Sequence, residues 1–125
     1  HLFTQIVLEA ARQRASHPAG LDLDAIQTTM QDSIHSSLEL EDLASIAHLS
    51  KYHFASRYKA LTGYSPIKHF LHMQIEYACQ LLDSTEMRVK AIAAAVGYED
   101  ALYFSRLFKQ TVGLSPRAYR SSVRK

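Results

Sequence analysis

The sequence predicts an all-α protein built from two related helical halves, and three observations carry that prediction. Phe54, Arg57, Tyr58, Lys59, Thr62, Gly63 and Ser65-Pro66 are answered 50 residues later by Phe104, Leu107, Phe108, Lys109, Val112, Gly113 and Ser115-Pro116. Upstream of each phrase lies a short run of small apolar residues, Leu43-Ala44 and Ala47 in one copy and Ile92-Ala93 and Val96 in the other. These runs are offset by one residue fewer, so the second copy carries an extra residue in its turn. Apolar residues elsewhere recur at three- and four-residue spacing, and nothing suggests a strand. Two copies fall short of the three or more a solenoid needs, so two paired modules are expected.

Residues 2–16 have helical composition with Phe3, Ile6, Val7, Ala10 and Ala11 apolar, and they run into the breaker cluster Ser16-His17-Pro18-Ala19-Gly20. This predicts a leader helix and linker over residues 1–20, which either packs on its own domain or closes a preceding one. The first residue is His1, not Met, and the expectation is a fragment of something longer with a domain upstream. From Asp22 or Asp24 as N-cap, Ile26, Met30, Ile34 and Leu38 form a stripe on one packing helix. Glu39, Glu41 and Asp42 then place acids where the helix dipole favours them, opening a short helix with Leu43, Ala44 and Ala47 inward. His48 falls in the turn that follows, where Gly97 sits in the second copy, and histidine is among the residues that tolerate left-handed dihedrals.

Ser50 is expected to cap a helix that buries Phe54, Tyr58 and Leu61 and ends at Gly63. Two short helices joined by a tight turn make a helix-turn-helix, here over about residues 39–63. Ser65-Pro66 restarts the chain as N-cap and N1 of a long connecting helix over about 65–83, with Ile67, Phe70, Leu71, Ile75, Ala78, Leu81 and Leu82 as its apolar face. Val89, Ile92, Ala93 and Val96 close at Gly97, and Glu99-Asp100 open a helix burying Phe104, Leu107, Phe108 and Thr111 up to Gly113. That gives a second helix-turn-helix over about 86–113. Ser115-Pro116 start a last helix, about 115–123, rich in Arg117, Arg120 and Arg124. Amides at the starts after Ser65 and Ser115 are possible phosphate sites, although simple capping is the favoured reading.

Charge narrows the function. The formal net charge is +2, but residues 1–50 hold two basic residues against seven acidic ones, a net −5, while residues 51–125 hold twelve against five, a net +7. A positive repeated portion is the electrostatic footprint of a polyanion binder. Cys79 is the single cysteine, which excludes an intramolecular disulfide framework and fits a cytoplasmic address. On the long helix, among Ile75, Ala78 and Leu82, it reads as a buried inert thiol. No apolar stretch reaches a membrane span, and no signal-peptide pattern opens the chain. His69 and His72 share a helix face, yet no cysteine pair or carboxylate cluster completes a metal site, so a core or surface role is expected. Phosphate loops, nucleophile elbows and zinc-protease patterns are missing from the sequence, so nothing speaks for an enzyme, a cofactor or a metal.

The second helix of a helix-turn-helix lies in the major groove with its N-terminal residues facing base edges. A connecting helix of about 18 residues spans roughly 27 Å at 1.5 Å rise, which with helix radii approaches the ~34 Å of one B-DNA turn. Two motifs are therefore expected to read successive major grooves of double-stranded DNA. Lys51, Arg57, Lys59, Lys109, Arg117 and Arg120 are the candidates for phosphate contacts, which set register and salt dependence without reading sequence. Phe54, Tyr58, Phe104 and Phe108, at helical spacing, are core residues, whereas Tyr52 and Tyr103 are candidates for the DNA boundary.

Ile92-Ala93, Gly97-Tyr98, Tyr103-Phe104-Ser105-Arg106, Phe108-Lys109, Gly113, Ser115-Pro116 and Tyr119-Arg120 closely resemble the signature of the AraC/XylS family of bacterial transcription regulators. The resemblance covers roughly residues 22–122. It implies a bipartite DNA-binding domain of seven helices, with residues 1–20 as the end of an effector-sensing or dimerisation domain and its linker. It also implies that Tyr52, Ala55 and Ser56 face bases in the first motif and Ala101, Leu102, Ser105 and Arg106 in the second. Ala55, Ala101 and Leu102 depart from the long polar side chains seen there in many relatives and offer only apolar contact, for instance with thymine methyls. Regulation through RNA polymerase, more often activation, is what the family implies. The competing reading is a helical protein-interaction module without nucleic acid, which has no need for the +7 on the repeated portion.

Overall fold

The computed structural model describes residues 21–124 of the chain; the leader helix expected over residues 2–16 lies outside them. Seven helices and no strand occur among the described residues: α1 (Leu23–Asp32), α2 (Leu40–Ile46), α3 (Lys51–Thr62), α4 (Pro66–Ser84), α5 (Val89–Ala95), α6 (Ala101–Val112) and α7 (Pro116–Val123). They fall into two compact units. Among the described residues, the first combines 21–33 with Leu38–Leu71; the second combines Ile34–Ser37 with 72–124.

In the first unit, α1 starts on Asp22, whose carboxylate accepts from the Ala25 amide at 3.1 Å. Its Leu23, Ile26 and Met30 pack with Leu43 and Ala44 of α2 and with Phe54 and Tyr58 of α3, all fully or almost fully buried. Tyr58 brings a hydroxyl into this core, where an unpaired polar group would be costly. Its Oη lies 2.6 Å from Nδ1 of the buried His69 and accepts from Gln27 Nε2 at 3.4 Å. His69 therefore belongs to the core as a hydrogen-bonding partner. Burial pushes the Tyr58 phenol up to about 12 from its ordinary value of 10.0. Because the folded value is the higher one, Tyr58 is protonated in both states below pH 10, and stability falls as pH rises between about 10 and 12. Urea unfolding at pH 9 and pH 11.5 should show this loss, and Tyr58→Phe should make it shallower.

In the second unit, Ile75, Ala78, Cys79 and Leu82 of α4 meet Ile92, Ala93 and Val96 around α5 and Phe104 and Phe108 of α6. Burial raises the Cys79 thiol above its ordinary value, with a Tyr119 hydrogen bond acting the other way; the thiol is inert, as its place in an apolar stripe implies. Arg120 of α7 and Arg124, its C-cap, reach carbonyls at and just past the end of α4. Arg120 donates to Leu82 O at 3.0 Å and Thr85 O at 3.1 Å, and Arg124 to Leu82 O, Asp83 O and Thr85 O while pairing with Glu86 at 2.6 Å. Cations at a helix C-terminus satisfy orphan carbonyls and the dipole together.

Several expected inward positions shift. The α1 stripe does not run on: the helix ends at Asp32, where the Ser33 amide turns back to Thr29 O and Met30 O. Ile34 is buried in the second unit and Leu38 is half-buried ahead of α2. Ser33, Ser36 and Ser37 compete locally for backbone hydrogen bonds and favour a turn over a continued helix. Leu61 is half-buried and Thr62 takes the inner place, its Oγ1 donating to Tyr58 O at 2.9 Å. Leu107 and Thr111 are half-buried too, and on α4 Ile67 is exposed while Met73 and Cys79 are inside.

Candidate nucleic-acid interface

Each unit contains one helix-turn-helix, and the two turns are built alike. After α2 the Leu49 amide donates to Ala44 O and the His48 amide to Ser45 O; after α5 the Tyr98 amide donates to Ala93 O and the Gly97 amide to Ala94 O. This paired arrangement requires a left-handed residue at the first position past the cap. His48 supplies it at φ 57° and Gly97 at φ 88°. The loop into α6 then runs one residue longer than the loop into α3, as the offset between the copies requires.

The helices that follow begin on side-chain caps. Ser50 accepts from the His53 amide at 3.2 Å, and Asp100 Oδ1 accepts from the Leu102 and Tyr103 amides at 3.0 and 3.1 Å. Both helices end on a left-handed glycine, Gly63 and Gly113. Phe54 and Tyr58 in α3, and Phe104 and Phe108 in α6, turn inward and are completely buried. Residues on the opposite face, at spacings of three and four, consequently point to solvent. On α3 these are Tyr52, Ala55, Ser56 and Lys59, of which Ala55 is half-buried and the others exposed. On α6 they are Leu102, Ser105, Arg106 and Lys109, with Ser105 half-buried. Ala101, the first residue of α6, is half-buried. The structure thus gathers the expected base-facing residues of each motif onto one helix face per unit.

The basic residues sort differently. Lys59 and Lys109 are exposed at matching places in the last turns of α3 and α6, and Arg117 is exposed on α7. Arg57 is half-buried. Lys51 pairs with Glu41 of α2 at 3.1 Å and stands over the Tyr52 ring at 5.3 Å. Glu41 is held below the usual carboxylate range by its own backbone amide and by this lysine. Such an exposed pair contributes little to stability. Arg120 is half-buried and gives its Nε and one Nη2 hydrogen to Leu82 O and Thr85 O, which makes it a clamp inside the second unit.

Sequence reasoning passed over His53, which is exposed in the first turn of α3 where Tyr103 stands in α6. The 50-residue repeat offset would have found it. The capping reading of Ser65 and Ser115 fits the structure, since they accept from the Lys68 and Ala118 amides at 3.3 and 3.1 Å. Among the described residues no group of three or more His, Cys, Asp or Glu is placed to hold a metal ion, and no helix is long and apolar enough to cross a membrane.

Seven helices among the described residues, with two capped helices that each offer one solvent face at the N-terminal end, define a double helix-turn-helix protein. The profile of the family described as "Helix-turn-helix domain" matches residues 43–122, from α2 through α7. The chain belongs to that family, in its AraC/XylS branch. It is 56% identical over 111 residues to the MmsAB operon regulatory protein of Pseudomonas aeruginosa, covering 89% of this chain and 36% of that protein. To the HTH-type transcriptional activator RhaR of Yersinia pseudotuberculosis it is 35% identical over 120 residues, covering 92% of this chain and 41% of that one. The chain therefore spans less than half the length of these relatives. Among solved structures it resembles the DNA-binding domain of the global transcriptional factor AdpA, captured in complex with a target DNA, with a TM-score of 0.76, 26% identity, and coverage of 82% of this chain and 92% of that one. These relatives are named as a regulatory protein, a transcriptional activator and a transcriptional factor.

Proposed function

We propose that this chain is the sequence-specific DNA-binding domain of a bacterial transcription regulator, with α3 and α6 each presenting their exposed face to base edges in successive major grooves. The observation that carries this is the duplicated face itself. Two helices, 50 residues apart in sequence, bury an aromatic pair at matching positions and expose the same N-terminal and last-turn positions. Folding alone asks for the buried half of that pattern only. Lys59, Lys109 and Arg117 supply phosphate contacts, which fix orientation without reading sequence. Arg57 joins them from its half-buried position, and Lys51 does so by exchanging Glu41 for a phosphate.

Tyr52, Ala55, Ser56, Ala101, Leu102, Ser105 and Arg106 read bases. Arg106 is the long donor among them, suited to bidentate bonds with guanine O6 and N7. Arg106→Ala is expected to cost about 1–3 kcal/mol and relax preference at one base pair, while Lys59→Ala weakens all sequences alike and reduces the salt slope by about one. If single-base variants of the site keep their ranking in Arg106→Ala, that role is wrong. The regulator named RhaR is an activator, and by likeness the whole protein here acts on RNA polymerase in the cytoplasm, most simply as an activator, under an upstream effector-binding or dimerisation domain.

Selection of bound duplexes from a random pool, followed by affinity against salt, tests the proposal. Two constrained blocks about one helical turn apart with a steep negative salt slope are expected. Failure to enrich any sequence would move the protein-interaction reading ahead.

A further inference from the structure

Leu102 and Tyr52 each leave 78% of their surface exposed, more than any other large apolar side chain among the described residues. Single exposed apolar residues are ordinary. These two, however, hold one register: each is the second residue of the second helix of its motif, 50 positions apart. The backbone under Leu102 is well fixed, because Asp100 Oδ1 accepts from both Leu102 N and Tyr103 N. Nothing in the second unit covers its side chain. Arg106 stands four residues on, exposed, on the same face.

The major groove displays one apolar group, the C5 methyl of thymine. A fixed, uncovered leucine beside an exposed guanidinium is suited to a thymine methyl next to a guanine edge. Four helical residues rise about 6 Å, close to two base steps. Resting on the DNA-binding reading above, we infer that Leu102 reads the C5 methyl of a thymine lying one or two base pairs from the guanine bound by Arg106. The second half of the site is then defined by a methyl as well as by hydrogen bonds.

Uracil pairs as thymine does but lacks the methyl, so it isolates this contact. Starting from the duplex selected above, each thymine is replaced singly by uracil and affinity is measured for the unaltered chain and for Leu102→Ala. One thymine beside the constrained guanine should show a loss of about three- to fivefold on replacement, the worth of roughly one buried methyl. In Leu102→Ala that thymine and uracil should bind equally, while Arg106→Ala keeps the difference. An absent uracil penalty beside the constrained guanine, or one that persists there in Leu102→Ala, overturns the inference and leaves DNA binding standing. A pool that enriches no duplex removes both together.

Discussion

Phe104→Ala is expected to destabilise the second unit by about 3–5 kcal/mol, the usual cost of removing a buried ring from a core that cannot collapse onto the space. Phe104 is completely buried, with the Tyr98 ring 5.7 Å away on one side and the Phe108 ring 6.0 Å away on the other. Small domains hold only about 5–15 kcal/mol in total, so a loss of that size brings the unit near its unfolding midpoint. The effect reaches function through geometry. Phe104 lies between Leu102 and Arg106 in sequence, and its burial is what turns both toward solvent. Urea unfolding followed by circular dichroism measures the first effect, and affinity for the selected duplex the second. Leu102→Ala, on the opposite face of the same helix, should change stability by no more than about 0.5 kcal/mol. Should both variants unfold at the same urea concentration, the assignment of inner and outer faces on α6 is mistaken.

That assignment was available from the sequence, because α6 has a strong helical period and a repeat that doubles the evidence. Phe54, Tyr58, Phe104 and Phe108 are at the centres of the two cores, and the turns needing a left-handed residue are at His48 and Gly97. Repetition also predicted the longer loop before α6. Where the periodic signal is supported by one copy only, it misleads: Ile34 and Leu38 continue the α1 stripe by spacing, yet the helix ends at Asp32 with Ser33 as its cap before either is reached. Leu61 and Thr62 exchange places because the threonine hydroxyl is satisfied inside by the carbonyl of Tyr58, which composition cannot announce. Arg120 illustrates a different limit. A basic residue on the last helix serves phosphate or protein carbonyls equally well by type, and the bonds of Arg120 to Leu82 O and Thr85 O could not be read from its identity. Buried polar chemistry was the least legible part. Gln74, on α4, donates to Val96 O at 2.8 Å and to Ser36 O at 3.3 Å while accepting from Tyr98 Oη at 2.9 Å, a set of partners far apart in sequence.

Those partners surround Gly97, and Gly97→Ala is expected to cost about 2–5 kcal/mol from two additive sources. The backbone there is left-handed at φ 88°, which an L side chain tolerates at about 1–2 kcal/mol. A β-carbon would also lie 2.8 Å from the Ser36 carbonyl carbon and 2.9 Å from its oxygen. Both are main-chain atoms that cannot rotate aside, so overpacking adds about 1–3 kcal/mol. Gly63 and Gly113 separate the two sources, since each has a positive φ and no atom within 4 Å of an added β-carbon. Gly63→Ala and Gly113→Ala should therefore cost only the backbone share, about 1–2 kcal/mol. The difference also has a functional reading: relief of the clash must move Ser36 or the turn before α6, and Gln74 ties both to one side chain. Chemical denaturation of the three variants, with duplex affinity beside it, decides the matter. Equal destabilisation at positions 63, 97 and 113 would show that the approach of Ser36 costs nothing and that the left-handed turn alone accounts for the glycine.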